Sequence, residues 1–222
     1  LPEVDNEPEE DTVTSDAGKT SVFQFPHLVL GVLALFFYVG AEVIAGNTIV
    51  SYGISLGVPI ESARIYTTLV MITMLIGYLA GIVVIPRLIS YHTALKISAL
   101  TGILFTVAAI LIPGDLRVPV PGQEDAMPLT AVCISLLGLS NALIWPAIWP
   151  LAIHNLGRFI KAGSALLIMA IAGGAILPLV WGYLSDKSSA REAYWVLVLA
   201  YLYIMYYAWY GYRIWHWKKR DA

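Results

Sequence analysis

Charge is scarce in this chain: only 13% of its 222 residues are Asp, Glu, Lys or Arg, where a soluble domain carries roughly a quarter. With 59% hydrophobic residues and a mean hydropathy of +0.75, the solvent must be a bilayer. Cysteine is nearly absent. The single Cys133 lies in an apolar run, so an internal disulfide is excluded and the residue reads as packing. The four histidines, His27, His92, His154 and His216, fall at the ends of apolar runs or between them, and none has the spacing of a metal-ligand pair. No apolar run carries a His or a Lys at its centre, so the nucleophile and base of an intramembrane protease are missing. Phosphate-cradling loops need a preceding strand, and no strand is expected. The basic residues form no stripe or patch, which excludes nucleic acid as a partner. No basic n-region followed by an apolar h-region opens the sequence, so no signal peptide is read there.

What is present is a set of six long apolar runs, at 25–52, 62–85, 94–112, 129–150, 164–184 and 193–215. Each is long enough, at 1.5 Å per helical residue, to cross a hydrocarbon core of about 30 Å. Residues 1–24 are acidic, contain prolines and lack aromatics until Phe23, the composition of a disordered linker. Residues 218–222 form a basic tail, and residues 113–128, rich in turn formers, are expected outside the bilayer. Six spans return the chain to the side on which it began. Lys19, Arg87, Lys96, Arg158, Lys161, Arg213, Lys218, Lys219 and Arg220 fall on that side, and Arg64, Arg117, Lys187 and Arg191 on the other. The positive-inside rule therefore places both termini in the cytoplasm.

The informative residues are the polar ones inside the runs. Glu42 is the one acid expected within a span, where translocon scales charge about 2.5 to 3.5 kcal/mol for an ionised carboxylate; it should face the interior and find a partner or a proton. Tyr38 and Gly46 stand one turn to either side of it on the same face. Asn47, five residues on, is rotated by about 140° and shares a cavity with Glu42 only if the helix unwinds near Gly46 or the cavity is wide. In span four, Asn141, Trp145 and Trp149 recur every fourth residue, one narrow polar-aromatic stripe on a regular helix. Pro146 and Pro150 beside it each remove a helical hydrogen bond. Span five holds Gly173, Gly174 and Pro178, which serve either close packing or a hinge. Gly77 and Gly81 in span two form a GxxxG pair for close helix contact, and span three is plain apolar filler. Two adjacent spans with proline at depth are what secondary transporters use to build a midplane site.

The segments YVGAEVIAGNTIVSYG (38–53), LSNALIWPAIWPLAIHNLGR (139–158) and GSALLIMAIAGGAILPLVWGYLSD (163–186) resemble the second half of the fucose and glucose/galactose permeases of the major facilitator superfamily. The resemblance implies an all-α membrane protein, with six transmembrane helices forming the C-terminal half of a twelve-helix fold, in a bacterial inner membrane. It implies a sugar carrier, not an enzyme, working by alternating access with a proton as coupling cation and no other cofactor. The linker would then join this half to a preceding N-terminal six-helix half. Relatives draw polar and aromatic groups for the sugar cavity from the first and fourth helices of this half, which by position are Glu42, Asn47, Asn141 and Trp145, with Tyr38 and Trp149 beside them. A sugar needs amide or carboxylate partners and an aromatic face, and these residues supply both. Glu42 is the proton-coupling candidate, and Pro146, Pro150, Gly173, Gly174 and Pro178 are the hinge candidates. Two other readings stay open: a carrier made of two copies of this half, and a non-transporting structural subunit in which Glu42 and Asn141 merely bridge helices.

Overall fold

A computed structural model describes residues 19–85, 87–119 and 126–217. The outer parts of the expected linker (1–18), Pro86, the loop residues 120–125 and the basic tail lie outside the described residues. Among the described residues, six helical spans are long and apolar enough to cross a membrane. The first is a single helix, α1 (Pro26–Ser55), started by Pro26, whose missing N–H costs nothing in a first turn. The second and third are α2 (Ile60–Val84) and α3 (Tyr91–Leu111). The fourth is divided into α4 (Leu129–Asn141) and α5 (Ile144–Ile153). The fifth runs through α6 (Ile160–Met169), a 3₁₀ turn at Ala170–Ala172 and α7 (Gly173–Lys187). The sixth is α8 (Trp195–Trp209). The fifth span starts earlier than its hydropathy predicts, because the turn Gly157–Phe159 leads straight into α6 while Lys161 stays exposed at its beginning.

One expectation is corrected at the loop between spans three and four. Strands were not expected, yet β1 (Arg117–Val118) pairs antiparallel with β2 (Met127–Pro128). The ribbon is held at its base by Arg117, which donates to the carbonyls of Ala126 and Leu56 at 3.3 and 3.1 Å. It thereby ties this loop to the turn after α1.

The hub of the bundle is α1, which packs on α2, α4, α5, α7 and α8; α4 wedges between α2 and α3, and α3 pairs with α8. Helices in a bilayer gain little from apolar burial against one another, so backbones approach where side chains are small and polar groups bond across. Gly138 in α4 lies against the carbonyl of Val70 and the hydroxyl of Thr73, and that hydroxyl donates to the carbonyl of Ser135 at 2.6 Å. Gly77 and Gly81 of α2 face Ala142 and Leu143, as the GxxxG pair predicts. The outer faces of α2 and α7 carry exposed Ile72, Leu75, Leu79, Ile82 and Leu179, Val180, Tyr183; such large apolar surfaces suit lipid or another bundle and no aqueous solvent.

The two ends of the described chain meet on one face. The indole of Trp217 donates to the carbonyl of Phe23 at 2.9 Å, and Arg158 donates to that of Lys19 at 2.6 Å. The buried ring of His27 bonds the carbonyl of His154 at 3.0 Å and lies 4.9 Å from the ring of Trp215. These histidines close a helix end, and among the described residues no group of His, Cys, Asp and Glu could hold a metal.

Candidate functional site

Span four is interrupted where its prolines begin to act. The last intact bond of α4 runs from Ala142 N–H to the Gly138 carbonyl, and the first of the next segment from Ala147 to Leu143, both at 3.1 Å. Between them Pro146 has no N–H to offer Ala142. The interruption falls at Ala142 and Leu143, which places Pro146 in the first turn of α5, where the donor is unneeded. Pro150 lies inside α5 without interrupting it, and Pro178 does the same in α7.

That interruption corrects the single stripe. Trp145 and Trp149 keep their spacing and stack, with centroids 5.9 Å apart and planes 15° from parallel. Asn141 belongs to the segment before the interruption and makes its contact outside the tryptophan pair: it is 1% exposed, and its carbonyl oxygen accepts from the Tyr201 hydroxyl of α8 at 2.8 Å. The tryptophans line a hollow of about 560 Å³ with Tyr91, Pro146, Pro150 and Ile168. A second hollow of about 360 Å³, bounded by Tyr78, Gly81, Leu143 and again Tyr91 and Pro146, adjoins it. Both volumes are within the range of small-molecule sites, roughly 300 to 1,000 Å³.

Behind Trp145 stands the acid of span one. The ring of Tyr38, buried, meets Trp145 edge to face with centroids 6.3 Å apart, and its hydroxyl is within hydrogen-bonding reach of Glu42 and of Tyr78. Glu42 is half-buried, and its charge bears on the hydroxyl of Tyr201. So the carboxylate of span one, the amide of span four and one tyrosine each from spans one, two and six gather in one region. The amide nitrogen of Asn141 is buried with no partner among the described residues.

Asn47 stands apart. Helix α1 is continuous through Gly46, whose carbonyl accepts from Thr67 at 2.9 Å, so the 140° rotation is kept and Asn47 lies exposed on another face. Among the glycines of span five, Gly173 sits against the carbonyl of Phe36 and Gly174 against Val39 and Val43. Both admit α1 to close range, and the irregular turn of that span falls just before them, at Ala170–Ala172. Tyr201 and Tyr78 escape sequence reading, since they are two tyrosines among thirteen with no special spacing. Span three is more than filler: Thr101 accepts from Ser140 at 2.9 Å, and Gly102 lies against the ring of Tyr201.

Six spans about a hub helix, one of them divided beside a hollow with aromatic and apolar walls, make one half of a major facilitator fold. A putative glucose/galactose transporter of Helicobacter pylori is 31% identical over 219 residues, covering 96% of this chain and 49% of its own length. The L-fucose-proton symporter of Escherichia coli is 27% identical over 164 residues, covering 73% of this chain and 34% of its own. A crystal structure of the Escherichia coli fucose:proton symporter superposes with a TM-score of 0.72 at 26% identity, covering 82% of this chain and 42% of that one. A structure of the transporter FucP in the outward conformation gives 0.74 at 24% identity, which speaks for the fold alone. No family model matches the chain. The chain has the fold of one half of a major facilitator superfamily transporter and is similar in sequence to glucose/galactose and fucose permeases, and it spans about half the length of the curated relatives it matches. Those relatives are named as transporters and not as enzymes.

Proposed function

We propose that this chain is the C-terminal half of a secondary active carrier for a hexose or fucose. It works with an N-terminal six-helix half in the inner membrane of a bacterium, both termini cytoplasmic. The observation that carries the reading is the cluster of Glu42, Tyr38, Trp145 and Trp149 at a divided span beside a hollow. The rings offer a flat apolar face for a sugar's C–H surface, and the carboxylate accepts from its hydroxyls. Asn47, exposed in this half, belongs to the set only if the partner half covers it.

Alternating access follows from the same parts. Interrupted helices at membrane depth are tolerated where protein or a watered cavity satisfies the freed backbone, and rocking of one bundle against the other around such a site exposes it to each side in turn. Pro146 with the interruption at Ala142 and Leu143, and the turn before Gly173 and Gly174, are the places where spans four and five deform. Pro150 and Pro178 lower the cost of further bending. Glu42 is this half's candidate for a group that takes part in proton coupling.

The test is uptake of labelled glucose, galactose and fucose by proteoliposomes containing this half joined to its N-terminal half, with and without an inward proton gradient. Gradient-driven accumulation lost in Glu42→Gln, with sugar binding retained, supports the coupling role. Accumulation that ignores the gradient, or persists in Glu42→Gln, overturns it, and absence of any uptake overturns the carrier. The bridging reading rests on the bond between Asn141 and Tyr201; it expects changes at Glu42 and Asn141 to reduce folding alone.

A further inference from the structure

We propose that Tyr201 is a positioning residue of the sugar site, orienting Asn141 so that its amide nitrogen serves as a hydrogen-bond donor to one substrate hydroxyl. The inference rests on the carrier reading above and adds the group that sets its specificity.

The argument begins with how a buried amide is satisfied. A side-chain amide offers an accepting oxygen and two donating N–H groups, and buried polar atoms are nearly always paired. At Asn141 only half of this is done. The oxygen accepts from Tyr201 at 2.8 Å, while the nitrogen, equally buried, meets no acceptor among the described residues. An amide whose whole task was to bridge α4 to α8 would have no reason to carry two idle donors at membrane depth, where each is costly.

The tyrosine is itself held. Its side chain is 0% exposed, and its ring lies on Gly102 of α3, where any side chain would collide with it. A tyrosine hydroxyl has one hydrogen, and here it is given to the oxygen of Asn141. With the oxygen so engaged, the nitrogen is left facing away from Tyr201. The charge of Glu42 also bears on that tyrosine hydroxyl. A sugar hydroxyl accepts as well as donates, so it can take a hydrogen from the Asn141 amide. Asn141 is the last residue of α4, immediately before the interruption, so a movement of α5 is what would open its nitrogen to a substrate.

The experiment compares wild type, Asn141→Asp, Tyr201→Phe and the double variant in the complete carrier, in proteoliposomes, measuring KM, maximal rate and the response to a series of monodeoxy-hexoses. Aspartate keeps an oxygen for Tyr201 but brings a charge or a proton to a buried site, so the deoxy-sugar profile, which a residue that merely bridges does not alter, is read beside KM. The expected result is a KM raised roughly tenfold in Asn141→Asp, as for one lost hydrogen bond, with the maximal rate within about twofold. Wild type should reject one deoxy sugar by a similar factor, and both single variants should lose that rejection. Tyr201→Phe should raise KM by a smaller factor, and the double variant should be no worse than Asn141→Asp. An unchanged KM in Asn141→Asp, or effects that multiply in the double variant, overturns the inference while leaving the carrier reading intact. Should Asn141→Asp fail to fold, Tyr201→Phe with an unaltered deoxy-sugar profile overturns it. A wild-type carrier that moves none of the sugars ends the carrier reading and this inference together.

Discussion

Spans one and four both carry a polar side chain at mid-membrane, and both contain residues known for disturbing helices, yet one is a continuous helix of 30 residues and the other is cut in two. The difference lies in what each residue removes. Gly46 keeps its N–H, so α1 retains every backbone bond there and uses the bare position for contact with Met71, 3.5 Å from where a Cβ would stand. Pro146 removes a donor outright, and the freed backbone just before it makes an edge to the hollow. Consequently Glu42 stays where helical periodicity puts it, whereas Asn141 and Trp145, four residues apart, are sent to different neighbours.

The comparison is broken most severely at its packing. Gly173→Leu should abolish folding, because the carbonyl of Phe36 occupies the place of any side chain and overpacking of a close contact costs about 1 to 3 kcal/mol or more; the check is the yield of monodisperse protein in detergent. Moving the interruption into span one comes next. Gly46→Pro should lose about 3 kcal/mol and remove the contact of Thr67 with the Gly46 carbonyl, seen as a lower midpoint of thermal unfolding. Trp145→Ala sharpens the site side of the comparison: it deletes the ring contacts with Tyr38 and Trp149 and should weaken sugar binding roughly tenfold, at about 0.5 to 1.5 kcal/mol per aromatic contact, with little change in unfolding. The smallest effect is expected from Thr73→Val, which removes the bond to the Ser135 carbonyl for about 0.6 kcal/mol. It should shift thermal stability slightly and leave sugar affinity as it was.

Much of the fold was legible because a bilayer imposes simple demands. Span number, the return of the chain to one side and the close contact at Gly77 and Gly81 all follow from length, hydropathy and small residues. The site was legible in part. Glu42 and Tyr38 share a face because α1 is regular, and Trp145 and Trp149 remain paired because both lie within α5. The placement of Asn141 was not readable, since it depends on where the missing donor of Pro146 is absorbed, three to four residues upstream. Tyr201 and Tyr78 were invisible for another reason. A tyrosine in a membrane helix is common, and only the helix it meets makes it a partner.

What the linear chain determined alone was its solvent, its six crossings and the presence of one acid and one amide at depth, because these depend on the cost of exposing polar groups to hydrocarbon, residue by residue. What only the folded molecule decided was which of those groups meet. A hydrogen bond such as that of Tyr201 to Asn141 spans sixty residues of sequence, and its existence depends on the rotation and depth of two helices fixed by contacts elsewhere, at Gly102, Gly138 and Gly173.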